Sequence, residues 1–304
     1  MGAATESLPE GVDAQFFELD DALAFAPDAV VVASPASTHV HYAMAFIARG
    51  IPVLVEKPLA DTTRGLSELV AKATKHQVRA AVAYNLRYKP SLQYVRQQVL
   101  TGGIGEVLSV RAEVGQYLPD WRPGTRYQDN VSAQAALGGG ALLELSHELD
   151  YLYLMFGLPH SVTARGGQLS ALELDVEDLV ELCLEYEHPR RLVSVHFDFI
   201  QRVPHRSCRL IGAHGTLIWD AIKDVVEIYR VETGQWERAE FPTLDRNQAY
   251  LDELREFLFA TDVTKGKLPD LSAAYDVVAI IEAAKASIAS GKTIRIQGYV
   301  QQTD

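Results

Sequence analysis

The sequence predicts an α/β protein in two parts. A partial, Rossmann-like, doubly wound parallel sheet comes first. An α+β portion with a large, mostly antiparallel sheet follows. Three observations carry this. Over residues 1–89 apolar strands alternate with helical segments through short connections, the βαβ pattern of a parallel sheet. Tyr88-Lys89-Pro90 then interrupts that rhythm. From 90 to 304 most apolar runs are short and rich in Val, Leu, Tyr and Phe, with turn signals between them.

The first strand lies in Asp28–Pro35, where Ala-Val-Val-Val-Ala runs into Ser34-Pro35. Ser37 and Thr38 offer cap oxygens to a helix from about His39 to Arg49, and Gly50 stops it. The second strand is Ile51–Val55. Strand, helix and strand in this order place Val30–Val32 beside Val53–Val55 in parallel. A helix from Thr63 to His76 leads to a third strand, Arg79–Tyr84, and Ser91–Leu100 is again helical. Strands follow at Val107–Val114, Leu179–Tyr186, Arg191–Phe199, Cys208–Ile211 and Val225–Arg230. Gly212-Ala213-His214-Gly215 and Glu232-Thr233-Gly234 read as turns. The closing helix Ala273–Ala289 carries Val277, Ile280, Ile281, Ala284 and Ile288 on one side. Its small residues should let it pack back on the first domain.

Composition narrows the function classes. The chain has 304 residues, 48% of them hydrophobic, enough for a sizeable core in two lobes. Its net charge is −12 and no Lys/Arg run stands out, which argues against nucleic acid and anionic membrane as partners. No apolar stretch approaches the ~20 residues that span a bilayer. The N-terminus lacks the basic-then-apolar pattern of a secretory leader. Cys183 and Cys208 are far apart and show no metal-ligand spacing, so no metal is assigned and a reducing cytoplasm is expected.

Two segments carry chemistry. Glu56-Lys57-Pro58 sets an ammonium beside a carboxylate at a strand end, where open α/β sheets bind ligands. A solvated turn is the ordinary alternative. The second segment runs from Gly138-Gly139-Gly140 to Asp150. Its glycines open a helix whose first turn should present free N–H groups. Within it Glu144, His147 and Asp150 recur at intervals of three, along one helical edge. A carboxylate beside an imidazole fixes its tautomer and raises its basicity, as a general base near neutral pH requires. A solvated polar edge is the alternative. The apolar flanks, Leu142, Leu143, Leu145 and Leu149, point instead to a buried helix.

The runs DAVVVASPASTH, GIPVLVEKPLA, AYNLRYKP and LGGGALLELSHELDYLYLMFG, in this order, resemble the Gfo/Idh/MocA family of NAD(P)-dependent sugar oxidoreductases. The resemblance extends from about Phe16 to Ile296. It implies a Rossmann domain, NAD or NADP as cofactor, a sugar substrate and a homo-oligomer (dimer or tetramer) built on the open sheet face. It makes His147 the catalytic histidine, with Lys57 and Asp150 beside it. It puts Ser34, Pro35, His39, Glu56, Lys57 and Asn85 at the cofactor. Without it, Ser34-Pro35 is a turn, His39 an exposed first-turn residue and Asn85 a strand-end cap. Two features depart from the family. No GxGxxG occurs in the 304 residues, Gly103-Ile104-Gly105 coming nearest, so a βαβ unit that would hold the pyrophosphate is expected to be absent. The acidic residue often found four positions before the histidine is here Glu144, only three before.

Between strand and glycine-opened helix, the loop Gln116–Tyr127 mixes aromatic residues with arginines. Tyr117, Trp121, Arg122 and Tyr127, with Glu144, are the candidate substrate contacts. Aromatic rings stack on sugar faces, and Arg122 and Arg126 tilt the substrate toward an acidic or nucleotide sugar. A surface loop with Trp121 packed on its own lobe weighs equally. Three functions follow: a sugar or polyol dehydrogenase, a truncated sugar-binding or scaffold paralogue without cofactor, and a redox-neutral lyase or hydrolase.

Overall fold

The computed structural model describes residues 10–242, 245, 247–260 and 266–300. A short helix α1 (Leu19–Phe25) precedes the first sheet, which alternates β1 (Val30–Val32), α2 (His39–Ile47), β2 (Val53–Glu56), α3 (Leu66–His76) and β3 (Ala80–Ala83). The strands are parallel in the order β1-β2-β3, with Val30 opposite Val53 and Val53 opposite Ala80. The repeat is right because β2 is apolar on both faces: Val53, Leu54 and Val55 are all buried, as a central parallel strand requires. The cap of α2 differs from expectation. A 3-10 turn, Ala36–Thr38, leads into the helix, and no side chain caps it. The Thr38 hydroxyl instead turns back, 2.8 Å from the Pro35 carbonyl and 2.7 Å from the Ser34 hydroxyl.

A 3-10 turn at Asn85–Tyr88 and the helix α4 (Pro90–Leu100) lead to β4 (Val107–Gly115). Four more 3-10 turns fill residues 118–137 before α5 (Ala141–Glu144) and α6 (His147–Phe156). Then come β5 (Ser161–Gly167), β6 (Leu179–Glu187), β7 (Arg190–Asp198), β8 (His205–Gly212), β9 (Gly215–Asp220), β10 (Val225–Arg230) and β11 (Gln235–Glu240). The helices α7 (Gln248–Phe259) and α8 (Leu271–Ser290) and the short β12 (Ile294–Arg295) close the described chain. The second sheet has nine strands in the order β11-β10-β9-β8-β4-β7-β6-β5-β12. It is antiparallel throughout except for the β4–β7 pair.

One face of this sheet is packed. On β6, Val180, Leu182, Leu184 and Tyr186 are buried while Glu181, Glu185 and Glu187 are exposed, the alternation of a half-covered sheet. On the open face Leu108, Leu192, Ile211 and Trp236 remain exposed. The helix α8 meets α3 and β3 as expected, but its broadest contact is with β5 of the second sheet, so it belongs to both parts. Asp270 caps it by accepting from the Ala273 amide at 2.8 Å, and Gly291 ends it in the left-handed region. Among the described residues no helix is long and apolar enough to cross a membrane.

Candidate active site

The two parts meet where β2 ends. Lys57 is half-buried, and its Nζ donates to the Glu144 carbonyl oxygen at 2.8 Å. That carbonyl is available because the expected single helix is broken. In a continuous helix the Glu148 amide would donate to Glu144, but here it turns to the Leu145 oxygen at 3.4 Å. Leu145 (φ −99°, ψ 20°) leaves helical geometry in the turn between α5 and α6, and Lys57 satisfies the freed carbonyl. Glu144, His147 and Asp150 therefore do not share one helical edge.

The triple glycine also works otherwise than expected. A Cβ at Gly139 would strike the carbonyl oxygens of Val131, Ser132 and Gln134, and one at Gly140 (φ +108°) would strike the Glu177 carboxylate. These glycines permit close backbone approach. The first N–H groups of α5 are not free: Ala141 donates to the Glu177 carbonyl at 3.0 Å and Leu142 to its carboxylate at 3.2 Å.

His147 opens α6 with its ring edge-on to the Tyr84 ring at 5.5 Å. Its Nδ1 is buried and makes no hydrogen bond among the described residues. Burial pushes the imidazole well below its ordinary value, and the charges of Arg206 and Lys57 push the same way. The expectation that Asp150 raises its basicity is corrected. The Asp150 carboxylate is clasped by Arg87, with contacts of 2.8 and 3.1 Å from Nε and 2.7 Å from Nη2. Both residues of this pair are buried. Asp150 thus ties α6 to the turn after β3, and acts on His147 only by fixing the helix.

Pattern reading missed two further residues here: Arg206, whose charge acts on the imidazole, and Glu148, with which Arg206 pairs. Glu148 is wholly buried, with Oε1 2.9 Å from Arg206 Nε, and Arg206 Nη2 donates to its Oε2 at 3.4 Å. Burial pushes this carboxyl up to about 7 despite Arg206. Arg206 lies on β8, some sixty positions away in the chain, which no local spacing reveals.

The candidate cofactor residues cluster at the carboxyl ends of β1, β2 and β3. Ser34 and Pro35 form the turn after β1, and Asn85 opens the turn after β3 half-buried, with no side-chain hydrogen bond among the described residues. His39 is buried, not exposed: Nδ1 lies 2.9 Å from the Pro58 oxygen and Nε2 2.7 Å from the Ser34 oxygen. Each ring nitrogen faces a carbonyl oxygen, and whichever carries the proton donates, so His39 lies between the β1 turn and the β2 turn and braces the site from behind. Burial raises the Glu56 carboxyl, with the Lys57 amide and charge opposing.

The candidate substrate loop divides. Tyr117 is stacked by Arg202, whose guanidinium carbon lies 3.6 Å from the ring centroid. Trp121 donates to the Gln116 carbonyl at 3.2 Å and packs edge-on to Phe199, the packed alternative. The Tyr127 hydroxyl accepts from the Glu173 amide at 2.9 Å. Arg122 is exposed, and Arg126 is 75% exposed and 3.7 Å from Asp129, so neither is held toward Lys57. The Glu144 carboxylate accepts from the Ser132 hydroxyl at 3.1 Å.

Glu253 of α7 is a further buried carboxyl whose Oε2 has no hydrogen-bond partner among the described residues. Burial, then the charges of Glu56, Asp150 and Glu256, push it up to about 8 from 4.5. Between those values the folded chain keeps a proton that the unfolded chain has lost, so stability falls as pH rises through that window. Thermal denaturation at pH 5 and pH 9 should therefore show a smaller loss for Glu253→Gln than for the parent; an equal loss would clear Glu253 of the effect.

The fold and site define a class: a Rossmann-like half joined to a sheet-based half, with a strand-end lysine gripping the helix break beside a half-buried histidine. The profile described as "Oxidoreductase family, C-terminal alpha/beta domain" matches residues 96–296, and "Oxidoreductase family, NAD-binding Rossmann fold" matches residues 2–84. The chain belongs to the Gfo/Idh/MocA oxidoreductase family. It is 29% identical to the scyllo-inositol 2-dehydrogenase (NADP(+)) IolU of Bacillus subtilis (strain 168), over 76% of this chain and 68% of that protein. Among solved structures, GenD2 from gentamicin A biosynthesis in complex with NAD superposes with a TM-score of 0.76 at 29% identity, over 93% of this chain and 82% of that one. Levoglucosan dehydrogenase in complex with NADH and levoglucosan shares the fold, with a TM-score of 0.79 at 19% identity over 89% and 81%. The matched segments span only 33 to 48% of several other curated relatives.

Proposed function

We propose that this protein transfers a hydride between a nicotinamide cofactor, NAD or NADP, and a hydroxyl-bearing carbon of a sugar or sugar derivative. The observation that carries this is Lys57 gripping the Glu144 carbonyl next to His147, whose Nδ1 is buried without a partner among the described residues. An ammonium and a proton acceptor are thus fixed at the carboxyl edge of a parallel sheet. The family and the activity of its relative IolU point the same way.

The strand-end residues fit the nicotinamide end of a dinucleotide: Ser34, Pro35, Glu56, Lys57 and Asn85 would hold it, with His39 bracing the turns. When bound, the cofactor supplies the hydride acceptor. One Lys57 N–H is committed to Glu144, leaving two to orient and polarise the substrate oxygen. His147, neutral by its environment, takes the hydroxyl proton. In the opposite direction it returns that proton to a keto sugar's oxygen. Asp150 is a positioning residue, through Arg87. Tyr117 and Tyr127 shape the sugar side, with Trp121 packed behind them on Phe199. We place the enzyme in the cytoplasm as a homo-oligomer, divided near residue 89. The apolar residues of its open sheet face support that assembly.

Titration of the purified chain with NADH and NADPH, followed by calorimetry, tests this directly. Micromolar binding that Lys57→Ala abolishes is the expected result, and a sugar screen then follows. No binding up to millimolar cofactor would overturn the dehydrogenase and favour a sugar-binding role.

A further inference from the structure

A histidine base is usually oriented by a hydrogen bond at its second ring nitrogen. The Nδ1 of His147 is buried with no partner among the described residues. Histidine χ2 is broad and roughly two-fold, so a ring without such a bond can present either edge. One neighbour limits that rotation. Tyr84, at the end of β3, is wholly buried, and its ring stands at 81° to the imidazole with the centroids 5.5 Å apart. This is the edge-to-face arrangement that aromatic rings prefer. The Tyr84 amide closes a tight turn on the Val82 carbonyl at 3.0 Å, so the side chain leaves the strand end from a fixed backbone. Its hydroxyl donates to the Ser146 hydroxyl at 3.3 Å. Ser146 is itself buried and its side chain makes no cap bond to α6, which leaves that hydroxyl to Tyr84.

We infer that Tyr84 is a positioning residue for proton transfer: its ring sets the plane of the His147 imidazole, in place of a hydrogen bond at Nδ1. Two strand ends of the Rossmann-like half then hold the break between α5 and α6. Lys57 from β2 takes the Glu144 carbonyl, and Tyr84 from β3 takes Ser146 and His147. The proton acceptor is thereby registered against the strand ends where a nicotinamide would lie. Transfer of a hydride and a proton from one carbon–hydroxyl unit requires that alignment. Of the two Tyr84 contacts, the ring carries the role. An O–H···O distance of 3.3 Å exceeds the usual range of about 2.5–3.0 Å, so the hydroxyl adds little. The inference rests on the hydride-transfer reading for its catalytic meaning, while its first readout needs neither cofactor nor sugar.

The first readout is NMR of the full chain labelled with ¹³C,¹⁵N-histidine. His147→Gln assigns the His147 ring C–H signal among the nine histidines. In the parent that signal should be displaced by the Tyr84 ring current and show a nuclear Overhauser contact to the Tyr84 ring protons. It should hold its place in Tyr84→Phe and move toward that of a histidine free of ring contacts in Tyr84→Leu. An unmoved signal in folded Tyr84→Leu would overturn the inference. Should that variant not fold, the Overhauser contact decides, and its absence in the parent overturns the inference equally. Turnover is the second readout. Tyr84→Leu should lower kcat by about 10²-fold, the cost of a catalytic group about 1 Å out of place, with KM and NADH affinity near the parent values. Tyr84→Phe should recover most of that loss. In the His147→Gln background Tyr84→Leu should cost almost nothing further, because Tyr84 acts through the histidine. An equal loss in both backgrounds, or an unchanged rate, would sink the positioning role. A moved signal in a chain that binds no NADH or NADPH would count against the dehydrogenase alone. Cofactor binding with an unmoved signal would count against Tyr84 alone.

Discussion

Asp150→Ala should destabilise the protein by about 3–5 kcal/mol, the usual cost of stranding one member of a buried ion pair. Arg87 is nearly as buried as its partner, and without Asp150 its guanidinium keeps, among the described residues, the Lys267 carbonyl at 3.0 Å. The pair also joins the turn after β3 to α6, so its loss loosens the two parts against one another. Urea denaturation measures the change. The double variant Arg87→Met/Asp150→Leu should recover much of it, since well-packed apolar residues replace such pairs at little net cost. A midpoint that hardly moves in Asp150→Ala would show that water or another group reaches Arg87, and that Asp150 is free for a different role.

His147→Gln should lower kcat by about 10²–10⁴-fold while leaving NADH affinity near the parent value. Removing a general base takes away the proton acceptor but not the strand-end contacts that would hold the nicotinamide. Steady-state rates on an oxidisable sugar, paired with the cofactor titration, separate the two effects. A parallel loss of both would mean that His147 supports the site through its packing on Tyr84. Unchanged turnover would remove it from the reaction.

The sequence was most legible where chain neighbours are also spatial neighbours. The β1–α2–β2–α3–β3 repeat follows from apolar strands and short connections, and its parallel register follows from the repeat. Strands with clean alternation, β6 and β7 above all, were equally plain. β5 ends in two glycines, and β11, Gln-Trp-Glu-Arg-Ala-Glu, lies at the sheet edge with most of its residues exposed, so neither carries a strand pattern. The candidate site was half visible. Lys57 and His147 stand in local motifs, and the structure brings their segments together. The carboxylates were the difficulty. A spacing of three said that Glu144, His147 and Asp150 shared an edge, yet the break at Leu145–Ser146 and the distant Arg87 decide where each one points. Arg206 and Glu148 meet only because β8 folds under α6, a contact between segments that carry no shared pattern. The same holds for His39, whose two facing carbonyls lie on separate strand ends.

The break between α5 and α6 also changes how this segment should be aligned with its relatives. Along an unbroken helix, one inserted residue rotates everything after it by about 100°. Here Glu144 is anchored to Ser132, and His147 by its place at the head of α6. An insertion at Leu145–Ser146 would leave both anchors intact. Family members with their acidic residue four positions before the histidine can therefore keep both side chains where this protein keeps them, with the extra residue looped out. A one-residue gap placed there equates Glu144 with that acid and His147 with that histidine, whereas an ungapped comparison pairs the acid with Leu143.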